Sequence, residues 1–223
     1  MNVKCAWNDA CVTACTLLLL AAQQGLAAEL PVTVVQADGS PLIGAVVVAE
    51  PLAPAAKPRT MPEASIDQRD LAFVPNVLVV RTGTAVSFPN SDRVRHQVYS
   101  FSGAKQFKLA LYSGKAHPPV VFDKPGVVTL GCNIHDGMIA HILVTDSPWF
   151  GRTGDRGELR LGGLPDGSYT LRVWHPRVTD EATQLERSVA VAEAQTLAQT
   201  FHLTRALRPE QHRHGTNQRW EDY

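Results

Sequence analysis

The run Gly131-Cys132-Asn133-Ile134-His135-Asp136-Gly137-Met138 decides how the rest of the chain is read. It places a thiol, an imidazole and a thioether within one short loop. Such soft donors suit copper rather than calcium or magnesium, which take oxygen ligands. A second imidazole lies upstream, in Asn90-Ser91-Asp92-Arg93-Val94-Arg95-His96. Two His, one Cys and a weak axial Met form the ligand set of a type 1, or blue, copper electron-transfer site. His96, Cys132, His135 and Met138 are therefore the candidate ligands of one copper ion. His96 is expected from a strand end and the other three from the later loop.

Working outward, the other cysteines lie near the N-terminus. Lys4 precedes an apolar stretch at 10–22 that contains Leu17-Leu18-Leu19-Leu20. Gly25-Leu26-Ala27-Ala28 then offers small residues for cleavage after Ala27 or Ala28. This order is that of a secretory signal, expected over residues 1–28. The apolar stretch is short for a membrane-spanning helix, so no transmembrane segment is expected after cleavage; a retained anchor is the alternative. Cleavage removes Cys5, Cys11 and Cys15 and leaves Cys132 alone, so no intramolecular disulfide can form. A periplasmic or secreted location follows, where a lone thiol reacts unless it is buried or metal-bound. A lone buried Cys ordinarily behaves as a small hydrophobe. Here His135 and Met138 weigh against that bland role.

The 223 residues carry zero formal net charge. No basic stripe or acidic block points to nucleic acid as a partner. Short runs of Val, Leu and Thr divided by Gly, Pro and Ser indicate an all-β chain. Strands are expected near 32–35 and 45–48. An Ala/Pro-rich linker follows, with Pro51, Pro54, Pro58 and Pro62. A second set of strands is expected at 77–80, 85–88, 96–101, 120–122, 127–130 and 139–144. A third set is expected at 158–161, 169–174, 188–191 and 200–203. The chain from 207 onward is polar and lacks periodicity, as a frayed tail does.

The middle of the chain, roughly residues 66–146, resembles the cupredoxins, the small blue-copper proteins that include plastocyanin and amicyanin. Phe73-Val74-Pro75, then Gly83-Thr84-Ala85-Val86-Ser87-Phe88, then Asn90-Ser91-Asp92 with His96-Gln97-Val98, then Pro125-Gly126, lead in the family's order to Cys132, His135 and Met138. Two residues separate Cys132 from His135 and two separate His135 from Met138, the amicyanin spacing. Asp136 stands where amicyanin has Pro. The resemblance implies a Greek-key β-sandwich, one type 1 copper, and electron exit at the solvent-facing edge of His135. Asn90 is expected to brace the backbone around Cys132.

The flanks resemble a second family. Asp38-Gly39-Ser40-Pro41-Leu42-Ile43-Gly44-Ala45, and later Gly154-Asp155-Arg156-Gly157-Glu158-Leu159 with Leu164-Pro165-Asp166-Gly167-Ser168-Tyr169, are similar to carboxypeptidase regulatory-like domains of transthyretin type. The expected architecture is a cupredoxin sandwich inserted into a second, smaller β-sandwich. Residues 29–57 plus 147–206 form the smaller one, 58–146 the copper domain and 207–223 the tail.

Other side chains have plainer roles. His117 is expected in a surface loop, His141 on the surface of a strand, His175 at a strand end, and His212 and His214 in the tail. Trp149, Trp174 and Tyr169 are expected in the core of the flanking sandwich. Function is expected to be single-electron transfer between redox partner proteins that the sequence does not name. Copper storage or delivery is the alternative, and a surface-interaction protein with vestigial copper a third reading. A carrier holds copper tightly in both oxidation states, whereas a delivery protein exchanges Cu(I). No catalytic residue is expected: the sequence offers no nucleophile with a base, no second copper cluster and no open metal position.

Overall fold

The computed structural model describes residues 28–53, 63–114, 117–192 and 197–210. Nearly all of the expected signal, much of the Pro-rich linker, and His212 and His214 lie outside the described residues. The strands, in chain order, begin with β1 (Ala28–Val35) and β2 (Val46–Pro51). Next come β3 (Ala64–Ser65), β4 (Asp67–Arg69), β5 (Ala72–Val74), β6 (Val77–Arg81), β7 (Thr84–Ser87), β8 (Tyr99–Ser102) and β9 (Lys105–Lys108). They are followed by β10 (Val120–Phe122), β11 (Gly126–Gly131) and β12 (Ile139–Thr145). The last are β13 (Trp149–Arg152), β14 (Glu158–Leu164), β15 (Gly167–Trp174), β16 (Glu186–Val191) and β17 (Gln199–His202). One 3-10 turn, Ala182–Leu185, is the only helical element among the described residues. The fold is all-β, as composition and turn spacing predict. No helix among the described residues is long and apolar enough to cross a membrane.

Strand pairing sorts by position in the chain. One sheet runs β14-β1-β17 and another β13-β2-β15-β16, so the first two strands pair with the last five. The middle strands pair among themselves, as β6-β12-β11-β8-β9, as β10-β7-β3 and as the hairpin β4-β5. Two cores follow the same division. Leu30, Val32, Val34, Val47 and Ala49 pack with Leu161, Leu164, Tyr169, Leu171 and Phe201. Ile66, Phe73, Val86, Phe88 and Phe122 pack with Leu130, Cys132, Met138, Ala140 and Ile142.

Side-chain period explains each placement. Along β1 every second residue is buried, so one face meets the core. In β2 and β12 alternation gives way to continuous burial, the mark of a strand covered on both faces. Val47 and Ala49 serve the outer core, while Val46 and Val48 join Val77 and Leu143 in a third cluster. Ala140, Ile142 and Val144 serve the middle core on the opposite face of β12. Gly157 is required where it stands. Its φ is +69°, and an added Cβ would lie 2.5 Å from the Val34 carbonyl oxygen.

Several elements differ from the sequence reading. Strands β3, β4, β5, β9 and β13 were not legible. β4 and β5 turn on Asp70-Leu71 rather than a Gly-bearing pair, and β9 is a Lys-flanked edge strand. The strand expected at 96–101 begins only at Tyr99. His96 instead makes an isolated bridge with Tyr112, N–H to oxygen at 2.9 Å one way and 3.0 Å the other.

Candidate metal centre

The loop bearing Cys132, His135 and Met138 connects β11 to β12. Its ends are fixed because Gly131 pairs with Ile139 across the two strands. The Met138 N–H donates to the His135 oxygen at 3.0 Å, tightening the turn. Cys132 and Met138 face the core, 3% and 1% exposed. His135 is half-buried and Asp136 exposed. His96 arrives from the other side and is fully buried.

These residues converge. The Cys132 Sγ lies 3.8 Å from His96 Nδ1 and 4.0 Å from His135 Nδ1. The three donor atoms all lie within 4.8 Å of one another. The two imidazole rings meet edge-on with centroids 5.0 Å apart. First-row metal bonds of about 2.3 Å to thiolate and 2.0–2.1 Å to imidazole, opened to about 120°, separate donors by about 3.8 Å. The Cys–His spacings therefore fit a single soft metal ion. Met138 shares a 360 Å³ cavity with Cys132, lined also by Tyr99, Phe101, Gly131 and Asp136.

Electrostatics prepares the same groups. Burial alone would raise the Cys132 thiol, but contact with His96 and the backbone N–H groups of Gln97 and Ile134 outweighs it and lowers its pKa. Burial would lower His96, but Cys132 and Asp92 outweigh it and raise its pKa. The Cys132 shift eases loss of the proton that a metal must displace there, while the His96 shift opposes metal binding, which needs the neutral ring.

The residues behind the candidate donors only partly match expectation. Asn90 does not brace the Cys132 loop. Its Nδ2 donates to the Val94 and Tyr112 oxygens, both at 2.9 Å, and its Oδ1 accepts from the Asp92 N–H at 3.0 Å. It shapes the segment before His96 instead. The Cys132 sulfur is met by backbone, from Gln97 and Ile134. Tyr112, the backbone partner of His96, is itself held: its hydroxyl contacts Gln68 Nε2 and the Phe88 oxygen, each at 2.5 Å. Burial pushes that hydroxyl up to about 12. No local sequence pattern announces this long-range network.

His117 and His141 stand apart from the centre. The His117 ring stands against Tyr112 with its Nε2 3.2 Å from the Ala110 oxygen. His141 is not a plain surface residue: it packs against Trp174 and contacts Thr129 Oγ1 at 3.2 Å. Tyr169 is buried with Trp149 against it, as expected, whereas Trp174 lies at the third cluster.

No family model matches this chain, and none of the curated proteins does. Solved structures do. A Cu-containing nitrite reductase from Thermus scotoductus SA-01 shares 27% identity at a TM-score of 0.36, over 43% of this chain and 25% of that one. This chain therefore spans about a quarter of the reductase. A proline-to-alanine variant of amicyanin in its oxidized state shares 19% identity at a TM-score of 0.34, over 37% of this chain and 81% of that one. A purple cupredoxin from Nitrosopumilus maritimus shares 23% identity at a TM-score of 0.32, over 37% of this chain and 99% of that one.

Proposed function

We propose that this chain is a type 1 copper protein that carries single electrons between redox partners in the periplasm or outside the cell. His96, Cys132 and His135 are the strong ligands and Met138 the weak axial one. The reading rests on one observation: two imidazole Nδ1 atoms lie 3.8 and 4.0 Å from the sulfur of Cys132, buried and the only cysteine among the described residues. Copper bound there supplies a one-electron couple. The chain's own part is to hold the donors still. Cys132 and His135 are fixed by the paired ends of β11 and β12, and His96 by its bridge to Tyr112. Little rearrangement is then needed when the charge of the site changes. The half-buried edge of His135 is the route to solvent and to a partner. The role proposed is transfer rather than catalysis.

The same proposal covers the domain plan. Residues 58–146 form the copper domain, inserted into a sandwich made by residues 29–57 and 147–206. Strand pairing supports it, since Trp149 lies directly opposite Ala49, so the outer strands on either side of the middle segment are neighbours. Closely spaced ends suit an insertion.

Protein-film voltammetry of the copper-loaded protein tests the function. A carrier gives a reversible one-electron wave with one copper per chain retained in both states. Loss of copper on reduction or oxidation points to storage or delivery instead.

A further inference from the structure

Asp92 touches both the candidate centre and a separate hairpin. Its Oδ2 lies 2.8 Å from His96 Nε2, the ring nitrogen that faces away from Cys132. Its Oδ1 accepts from the backbone N–H of Asp70 at 2.7 Å, and Oδ2 from that of Leu71 at 3.1 Å. The side chain is 13% exposed and that of His96 0%. The approach is therefore largely shielded from water.

The hairpin end is unusual in its own right. Asp70 and Leu71 have φ of +53° and +56°. Tight turns of that kind usually carry Asn-Gly or Asp-Gly, because a side chain such as Leu crowds the backbone there. The carboxylate of Asp92 receives both turn N–H groups and so holds the pair in place. The hairpin is also laced to the segment before His96. Gln68 N–H donates to the Pro89 oxygen and Ser91 N–H to the Gln68 oxygen. Ser91 Oγ bonds Asp67 Oδ2 at 2.8 Å. The carboxylate is thereby fixed from one side and aimed at the imidazole on the other.

A neutral imidazole carries one N–H, and the partner of one nitrogen decides which nitrogen stays free. A carboxylate can only accept, so it selects the form protonated at Nε2 and leaves the Nδ1 lone pair toward Cys132. We propose that Asp92, held by the 67–74 hairpin, is the positioning residue of this centre. It fixes the tautomer and orientation of His96, and its charge strengthens Nδ1 as a donor and favours the oxidised metal. The electronic half rests on the copper reading above; the tautomer half does not.

Asp92→Asn and Asp92→Ala separate the roles. In metal-free protein, at a pH where the ring is neutral, nitrogen-15 NMR of His96 should show one tautomer in the wild type and a mixture in Asp92→Ala. In copper-loaded protein, Asp92→Asn keeps an acceptor for the ring without the charge. Its potential should rise by the equivalent of about tenfold in the Cu(I)-to-Cu(II) preference, about 59 mV. Asp92→Ala should also weaken copper binding by roughly 10–100-fold. An unchanged tautomer in Asp92→Ala together with an unchanged potential in Asp92→Asn would mean that Asp92 only pins the hairpin, and would overturn the proposal. A tautomer shift in a protein that never develops a copper–thiolate band supports the positioning and overturns the copper reading alone.

Discussion

The His141 ring stands edge-on to the Trp174 indole, with centroids 5.7 Å apart at 68°. His141 belongs to β12, which closes the candidate centre, and Trp174 to β15 in the sheet that holds β2. Around them Val46, Val48, Val77 and Leu143 form a buried cluster, joined by Phe150 and Val127. Arg152 adds a bond from Nη1 to the Val77 oxygen at 3.3 Å. The outer and middle strands are thus fastened by an apolar junction. Leu143→Ala should cost about 2–3 kcal/mol, the lower part of the range for a buried leucine, because Leu143 is 9% exposed. Denaturant unfolding measures this. A loss under about 0.5 kcal/mol would mean the junction adds little.

His175 gives the fold a predictable pH dependence. Burial, with Arg177, Arg152 and His141 nearby, lowers its pKa to about 4. Its neutral Nδ1 accepts the Arg177 N–H at 3.2 Å. Unfolded, the ring takes up a proton near pH 6.5. Its contribution is therefore present above 6.5, is lost as pH falls toward 4, and changes no further below. Full weight would be about 3 kcal/mol; solvent at this part-exposed ring reduces it to about 1–2 kcal/mol. Subtracting the unfolding free energy of His175→Gln from that of wild type across pH 7 to 4 isolates the term. A flat difference would contradict it.

Asp136 follows His135 and borders the cavity shared by Cys132 and Met138. Its negative charge favours the oxidised site, which carries one more positive charge. Asp136→Asn should raise the potential by roughly 20–60 mV at low salt, for a charge about 6 Å away in a watery setting. The shift should shrink as ionic strength rises. Voltammetry across salt concentration is the check; a potential that does not move at low salt removes the electrostatic role and leaves Asp136 as a turn residue.

The proposed domain plan can be tested by excision. Removing residues 58–146 and linking 57 to 147 through a short turn should leave a folded, metal-free β unit, because Ala49 and Trp149 are cross-strand partners. The cut bares Val46, Val48, Phe150 and Trp174, so this unit should also self-associate. Circular dichroism and sedimentation report both properties. An unfolded product would contradict an independent outer unit.

The candidate donors were legible because their chemistry is local. Cys132, His135 and Met138 sit in one loop, and a thiol beside an imidazole is rare enough to stand out. His96 was legible through its neighbours in the same order. Strands with a clean period, such as β1 and β15, were legible from alternation. Asp92 was not, because a carboxylate four residues before a histidine reads as loop polarity until the backbone folds it back. The partners of Asn90 differ from the expected Cys132 loop, since its amide satisfies Val94 and Tyr112, which no local pattern reveals. The β4–β5 hairpin escaped because Asp70-Leu71 lacks the glycine that usually marks such a turn. The junction was half-visible: the unbroken Val46-Val47-Val48-Ala49 run shows burial on both faces, but not what covers the second.

The visible absorption spectrum of the copper-loaded protein tests the central claim most directly. A thiolate-to-Cu(II) charge-transfer band of high intensity is expected, with one copper per chain, and Cys132→Ser should abolish it while the fold persists. A colourless Cu(II) complex at the same stoichiometry, or a band that survives Cys132→Ser, would contradict the assignment of Cys132 and with it the electron-carrier reading.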